Sequence, residues 1–214
     1  MAETERVERP SRPIPASLIG HGDRHGSRVV IYGQGGRSHR HCLSKHDEMT
    51  ASDVLLLYEE LERQGIPIWI DGGWCIDALL ERQTRAHPDL DIAVERKFAD
   101  RLEQFLFAHG FQKRNGPNAS AWNYSMEQQG RVVDVHVFEF DENGKNIYGV
   151  QYPFGSLNGE GLILQSKVRC VGPEWMFKFK TAYTPREKDL QDVHALASKY
   201  EFDIPSTHRR PGQR

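Results

Sequence analysis

The order and period of the apolar residues predict an α+β domain. Helical patterns recur at 50–64, 73–82 and 98–109, short apolar strands lie between them, and residues 131–140 alternate with the two-residue period of a strand. The first helix opens at Thr50 or Ser52, either of which can cap it, and Val54, Leu55, Leu57, Tyr58 and Leu61 keep its period. Gly65 and Pro67 stop it. Residues 66–70 then read as a short buried strand, and 73–82 as a second helix. Residues 90–94 form the next strand. A third helix over 98–109 places Phe98, Leu102, Phe105 and Leu106 on one face before Gly110. In 131–140, Val133, Val135 and Val137 face one way, and Val132, Asp134, His136 and Phe138 the other. Asn143-Gly144 marks a turn. Residues 146–170 read as irregular with short strands, and helices over 173–183 and 186–200 finish the domain. The expected architecture is a small mixed sheet covered on one side by helices.

A length of 214 residues suffices for one domain with a real core. No apolar run approaches the roughly 20 residues of a membrane helix, and the N-terminus lacks a secretory pattern. Three distant cysteines, Cys42, Cys75 and Cys170, suggest reduced thiols and a cytoplasmic protein. The net charge of −2 is uneven. Residues 1–46 carry eight basic and four acidic side chains, which leaves −6 on the remainder. This segment, rich in Pro, Gly, Arg, Ser and His, is expected to be a flexible N-terminal extension. Its 33–36 glycine stretch and its His39, His41, Cys42 and His46 match no phosphate-loop or zinc spacing. An acidic body argues against nucleic acid as a partner and suits a cationic one. The expected division is a 1–46 tail, a 47–203 domain and a polar 204–214 tail.

The chemistry concentrates in Trp69-Ile70-Asp71-Gly72-Gly73-Trp74 and His87-Pro88-Asp89-Leu90-Asp91-Ile92. A Gly-Gly turn at the start of a helix offers backbone N–H groups to a phosphate. Asp89 and Asp91, two apart on a strand, share a face and repel unless a cation joins them. Asp134 projects from the polar face of its own strand. If that strand neighbours the one carrying Asp89 and Asp91, three hard oxygen ligands converge as a Mg²⁺ pair requires.

Asp71-Gly72-Gly73-Trp74, Asp77, Arg85-Ala86-His87-Pro88-Asp89-Leu90-Asp91-Ile92 and Val133-Asp134-Val135-His136 resemble the signature of the small antibiotic nucleotidyltransferases. These are the aminoglycoside-2''-adenylyltransferase and lincosamide nucleotidyltransferase group of the polymerase-β-like superfamily. The segment Tyr183-Thr184-Pro185-Arg186-Glu187-Lys188-Asp189, with Asp192, is similar to the family's C-terminal helical region. The resemblance covers roughly residues 50–200. It implies the polymerase-β-like fold and transfer of AMP from ATP, or of another nucleoside monophosphate, to a hydroxyl of an aminoglycoside- or lincosamide-like molecule, with release of pyrophosphate. By the same resemblance, Gly72 and Gly73 hold the triphosphate, and Asp89 and Asp91 bind Mg²⁺. Asp134 is a third metal ligand or the general base, and Arg85, His87 and Lys188 are phosphate contacts. His136 is a candidate to orient a carboxylate or the acceptor, and Asp77 to complement the helix N-terminus. Cys75 stands where the family often has Gly, as does a residue near Glu81. Trp122 and Tyr124 are candidates to pack on acceptor rings, or core aromatics. A monomer or a homodimer fits the family. Two other readings share the pattern: a toxin-type enzyme that modifies a protein or tRNA, and a nucleotide-binding protein without catalysis.

Overall fold

The computed structural model describes residues 49–117 and 119–210. The expected tail 1–46, with its glycine stretch and its His39, His41, Cys42 and His46, lies outside the described residues. Helix α1 (Ala51–Arg63) is capped by Thr50, whose Oγ1 accepts the Asp53 N–H at 3.2 Å while the Asp53 carboxylate accepts the Thr50 N–H at 3.1 Å. Gly65 then takes φ +63°. Strand β1 (Ile68–Ile70) leads into α2 (Gly72–Leu80), followed by β2 (Asp89–Glu95) and α3 (Arg96–Ala108). After β3 (Gln112–Lys113), β4 (Asn123–Gln128) and β5 (Arg131–Phe140) come β6 (Asn146–Gly149), β7 (Gly159–Ile163) and β8 (Ser166–Cys170). Helices α4 (Pro173–Thr181) and α5 (Glu187–Tyr200) follow.

One mixed sheet has the order β3-β4-β5-β2-β1-β8-β7, with β6 paired to the far end of β5. Strands β2 and β5 run parallel, β4 and β5 antiparallel. Across β2, β5 and β4 the register aligns Leu90 with Val133 and Met126, and Ile92 with Val135 and Tyr124. All six are buried. The intervening rows are Asp91, Asp134 and Ser125, then Asp89, Val132 and Glu127. Each aliphatic side chain of the buried rows contributes roughly 1.5–3 kcal/mol. A slip of one residue would move the acids into the core, so burial of one face fixes the position of the other.

The 146–170 segment is more regular than its composition suggests, because it supplies three strands. The glycines that read as loop are there for close packing. A Cβ at Gly161 would lie 2.5 Å from the Ala78 carbonyl carbon of α2, and one at Gly159 would lie 2.6 Å from the Val171 carbonyl oxygen. The β7–β8 hairpin thereby adds to the β1 side of the sheet and lies against α2. The polar C-terminal segment folds back as well. His208 is buried, and its carbonyl lies 3.0 Å from His194 Nε2. Among the described residues, no helix is long and apolar enough to cross a membrane.

Thr50→Ala is expected to lower stability by about 1 kcal/mol in urea titration.

Candidate functional site

Asp71 ends β1 on the same side as Asp91, with its N–H donating to the Asp91 carbonyl at 2.9 Å. Its carboxylate caps α2: Oδ1 accepts the Gly72 N–H at 2.7 Å, and Oδ2 accepts the Tyr152 hydroxyl at 2.6 Å. His136 Nδ1 lies 3.2 Å from the Tyr152 hydroxyl and 3.5 Å from Asp71 Oδ2. Burial opposes charge on Asp71, yet the His136, Tyr152 and Gly72 contacts hold its carboxyl below the usual range. Burial likewise opposes charge on His136, but Asp71, Asp91 and Asp134 raise it above its ordinary value. His136 therefore braces the Asp71 carboxylate.

The two glycines are required for different reasons. Gly72 has φ +59°, and a Cβ there would sit 1.9 Å from Asp91 Oδ2. A Cβ at Gly73 would sit 2.2 Å from His87 Nδ1 and 2.9 Å from Arg85 Nη2. The turn thus lets three site side chains approach the backbone. The Gly72 N–H is already spent on Asp71, so Gly73 is the glycine left to offer its N–H to a ligand.

Asp91 and Asp134 are direct partners on adjacent parallel strands, and Asp89 lies one row away. Burial pushes the Asp91 carboxyl up to about 7, with the negative charges of Asp71, Asp89 and Asp134 adding to it. Asp134 Oδ1 is buried and has no hydrogen-bond partner. These two observations fit a bound cation, which would relieve the repulsion and satisfy the free oxygen. Among the described residues, no three His, Cys, Asp or Glu side chains close a metal cage by themselves. Mg²⁺ characteristically takes one or two carboxylates and completes its shell with phosphate and water.

A cavity of about 420 Å³ adjoins this edge. Its lining combines the acids Asp71, Asp89 and Asp91 with the cations Arg85, Lys180, Arg186 and Lys188. Asp89 also borders a second cavity of about 370 Å³, which it shares with Asp134, Ser125, Glu127 and Arg114. Lys180 and the α5 acids Asp189 and Asp192 were not singled out as site residues by sequence reasoning. Their signal is nonetheless present: two acids, three apart, on the apolar stripe that carries Val193, Leu196 and Ala197. Burial opposes charge on Asp189, but Arg186, Tyr183 and Lys180 hold its carboxyl well below the usual range.

Other candidates fall into structural roles. His87 is 2 % exposed, and its Nε2 lies 2.5 Å from Asp77 Oδ2. Asp77 Oδ1 also accepts the Thr84 N–H and hydroxyl at 3.0 and 2.6 Å, so Asp77 pins the loop before β2 instead of capping a helix. Cys75 is buried and donates to the Val171 carbonyl at 3.3 Å. Tyr124 belongs to the core, whereas Trp122 is exposed and packs edge-on against Tyr148.

Two outcomes follow from this geometry. Gly72→Ala is expected to leave a folded protein with backbone strain of about 1–2 kcal/mol and a displaced Asp91 carboxylate. An activity assay should show at least about a tenfold loss. For Asp91, the folded protein retains a proton that the unfolded chain releases between the usual carboxylate range and about pH 7. Stability therefore falls as pH rises through that window. Metal-free Asp91→Asn should melt above the parent at about pH 8, with the gap shrinking towards about pH 5.

The aminoglycoside-2''-adenylyltransferase family model matches residues 53–196, more than half of the chain. A lincosamide resistance protein from Staphylococcus haemolyticus is 25% identical over 159 residues, which cover 72% of this chain and 98% of that protein. The crystal structure of the lincosamide antibiotic adenylyltransferase LnuA with lincomycin bound superimposes with a TM-score of 0.61 at 21% identity, covering 71% of this chain and 98% of that one. The structure of ANT(2'')-Ia in complex with adenylyl-2''-tobramycin gives 0.60 at 20% identity, covering 70% and 88%. The fold is the polymerase-β-like one expected from the sequence. The chain belongs to the aminoglycoside-2''-adenylyltransferase family and is a nucleotidyltransferase.

Proposed function

We propose that the protein transfers AMP from ATP to a hydroxyl of an aminoglycoside- or lincosamide-like antibiotic and releases pyrophosphate, with two Mg²⁺ ions as cofactors. The observation that carries this reading is the pairing of Asp91 with Asp134, one row from Asp89, beside the Gly72–Gly73 turn and a cavity that Arg85, Lys180, Arg186 and Lys188 also line. Asp89, Asp91 and Asp134 would hold the metal, which supplies charge neutralisation of the phosphates and of the attacking and leaving oxygens. Gly73, through its N–H, and Arg85 and Lys188 would bind the triphosphate. Gly72 admits the Asp91 carboxylate. His87 sets the turn through Asp77 instead of touching a phosphate.

The acceptor would enter the 370 Å³ cavity, across the carboxylates from the triphosphate, which suits in-line displacement. Its hydroxyl oxygen bonds to the α-phosphorus, the bond from that phosphorus to pyrophosphate breaks, and the hydroxyl proton leaves to a base. Asp134, which lines this cavity and has one oxygen without a hydrogen-bond partner, is either that base or a third metal ligand. Asp89, Glu127 and Asp134 would attract the basic amine that both antibiotic classes bear, against a single Arg114. Buried free Cys75 and Cys170 suit a reducing, cytoplasmic setting.

The test is pyrophosphate release from ATP or GTP with tobramycin, lincomycin and related acceptors, with and without Mg²⁺. Turnover is expected with ATP, Mg²⁺ and at least one such acceptor. It should vanish in Asp89→Asn, and Asp134→Ala should lower kcat by at least about a hundredfold. Full activity in either variant would refute the site, and no turnover with any antibiotic would refute the acceptor class.

A further inference from the structure

We infer that Asp189 and Asp192, buried on α5, are positioning residues that hold Arg85, Lys180 and Arg186 as one rack against the triphosphate, so that nucleotide affinity depends on how α5 is docked. This rests on the nucleotidyltransferase reading and extends it to residues that do not touch the reacting atoms.

Asp192 is 1 % exposed and Asp189 0 %. Two carboxylates at such depth persist only when paired. Asp192 takes Arg85 as a fork, with Nε to Oδ1 at 3.2 Å and Nη2 to Oδ2 at 3.1 Å, and Lys180 Nζ lies 3.2 Å from the same Oδ2. Asp189 accepts from Arg186 Nε at 3.0 Å and from the Tyr183 hydroxyl at 2.9 Å, with Lys180 Nζ at 3.5 Å. The three cations come from separate segments: the loop before β2, the end of α4 and the residue that begins α5. The two acids join them.

Structural ion pairing alone would leave the cations spent. Arg85 uses Nε and Nη2 on Asp192 and Nη1 on the Ala86 carbonyl, which leaves N–H groups of its five free. All three cations, with Lys188, line the 420 Å³ cavity together with Asp71, Asp89 and Asp91. Three cations over two carboxylates leave net positive charge in that lining, which is where a metal-bound triphosphate would lie. Without the acids, Arg85 and Lys180 would repel each other and turn towards solvent.

Isothermal titration of the full chain with ATP and with AMP, both in Mg²⁺, tests this. Asp192→Asn should weaken ATP binding by about tenfold or more while AMP changes by less than about twofold, since AMP lacks the phosphates the rack would hold. Arg186→Gln, at an exposed side chain that the fold tolerates, should shift the ATP-to-AMP ratio in the same direction and decides the matter if Asp192→Asn fails to fold. Because Asp192 also holds Lys180, the double variant Arg85→Gln/Asp192→Asn should bind ATP more weakly than Arg85→Gln alone, but by less than the two single losses combined. Equal weakening of both nucleotides, an unchanged ratio, or additive effects in the double variant would overturn the positioning role. A parent protein that binds no ATP would overturn the nucleotidyltransferase reading along with it.

Discussion

The parallel pairing of β2 with β5 is the constraint on which the rest depends. It aligns Leu90 with Val133 and Ile92 with Val135 in the core, and in doing so it sets Asp91 opposite Asp134 on the other face. The hydrophobic term is large and the acid–acid repulsion comparatively small, so the fold can carry an unfavourable charge cluster at its edge. Burial first, and the neighbouring acids after it, raise the Asp91 carboxyl. Such a cluster persists because a divalent cation would reverse its sign, turning a local penalty into affinity.

The Gly-Gly turn serves this pairing as much as it serves a phosphate. Gly72 lets the Asp91 carboxylate come against the backbone, while Asp71, braced by Tyr152 and His136, caps the helix that follows. The helix start, the Asp91 carboxylate and the buried hydrogen-bond group are therefore joined by direct contacts. The α5 acids gather cations from three segments. The cavity lining carries both signs of charge, which suits a ligand that is itself a metal–polyanion complex.

Much of this was legible in the residues. The alternation of β5, the Thr50 start of α1 and the same-side placement of Asp89 and Asp91 follow from period and capping alone. The β2–β5 adjacency does not, because strand order is a long-range property that local pattern cannot supply. The β7–β8 hairpin was hidden for another reason: Gly159 and Gly161 are dictated by contact with β8 and α2, and in sequence they look like loop glycines. The His87–Asp77 pair was hidden as well: sequence suggests a phosphate contact for His87 and a helix-end role for Asp77, whereas their mutual 2.5 Å contact, ten residues apart in the chain, fastens the loop that carries Arg85.

A crystal structure with Mn²⁺ and a non-hydrolysable ATP analogue tests the central claim most directly. Anomalous signal should lie between the carboxylates of Asp89 and Asp91, within reach of the free Asp134 oxygen, with the phosphates extending over Gly73 towards Arg85 and Lys180. Metal seated away from these acids, or a triphosphate bound outside that cavity, would contradict the account.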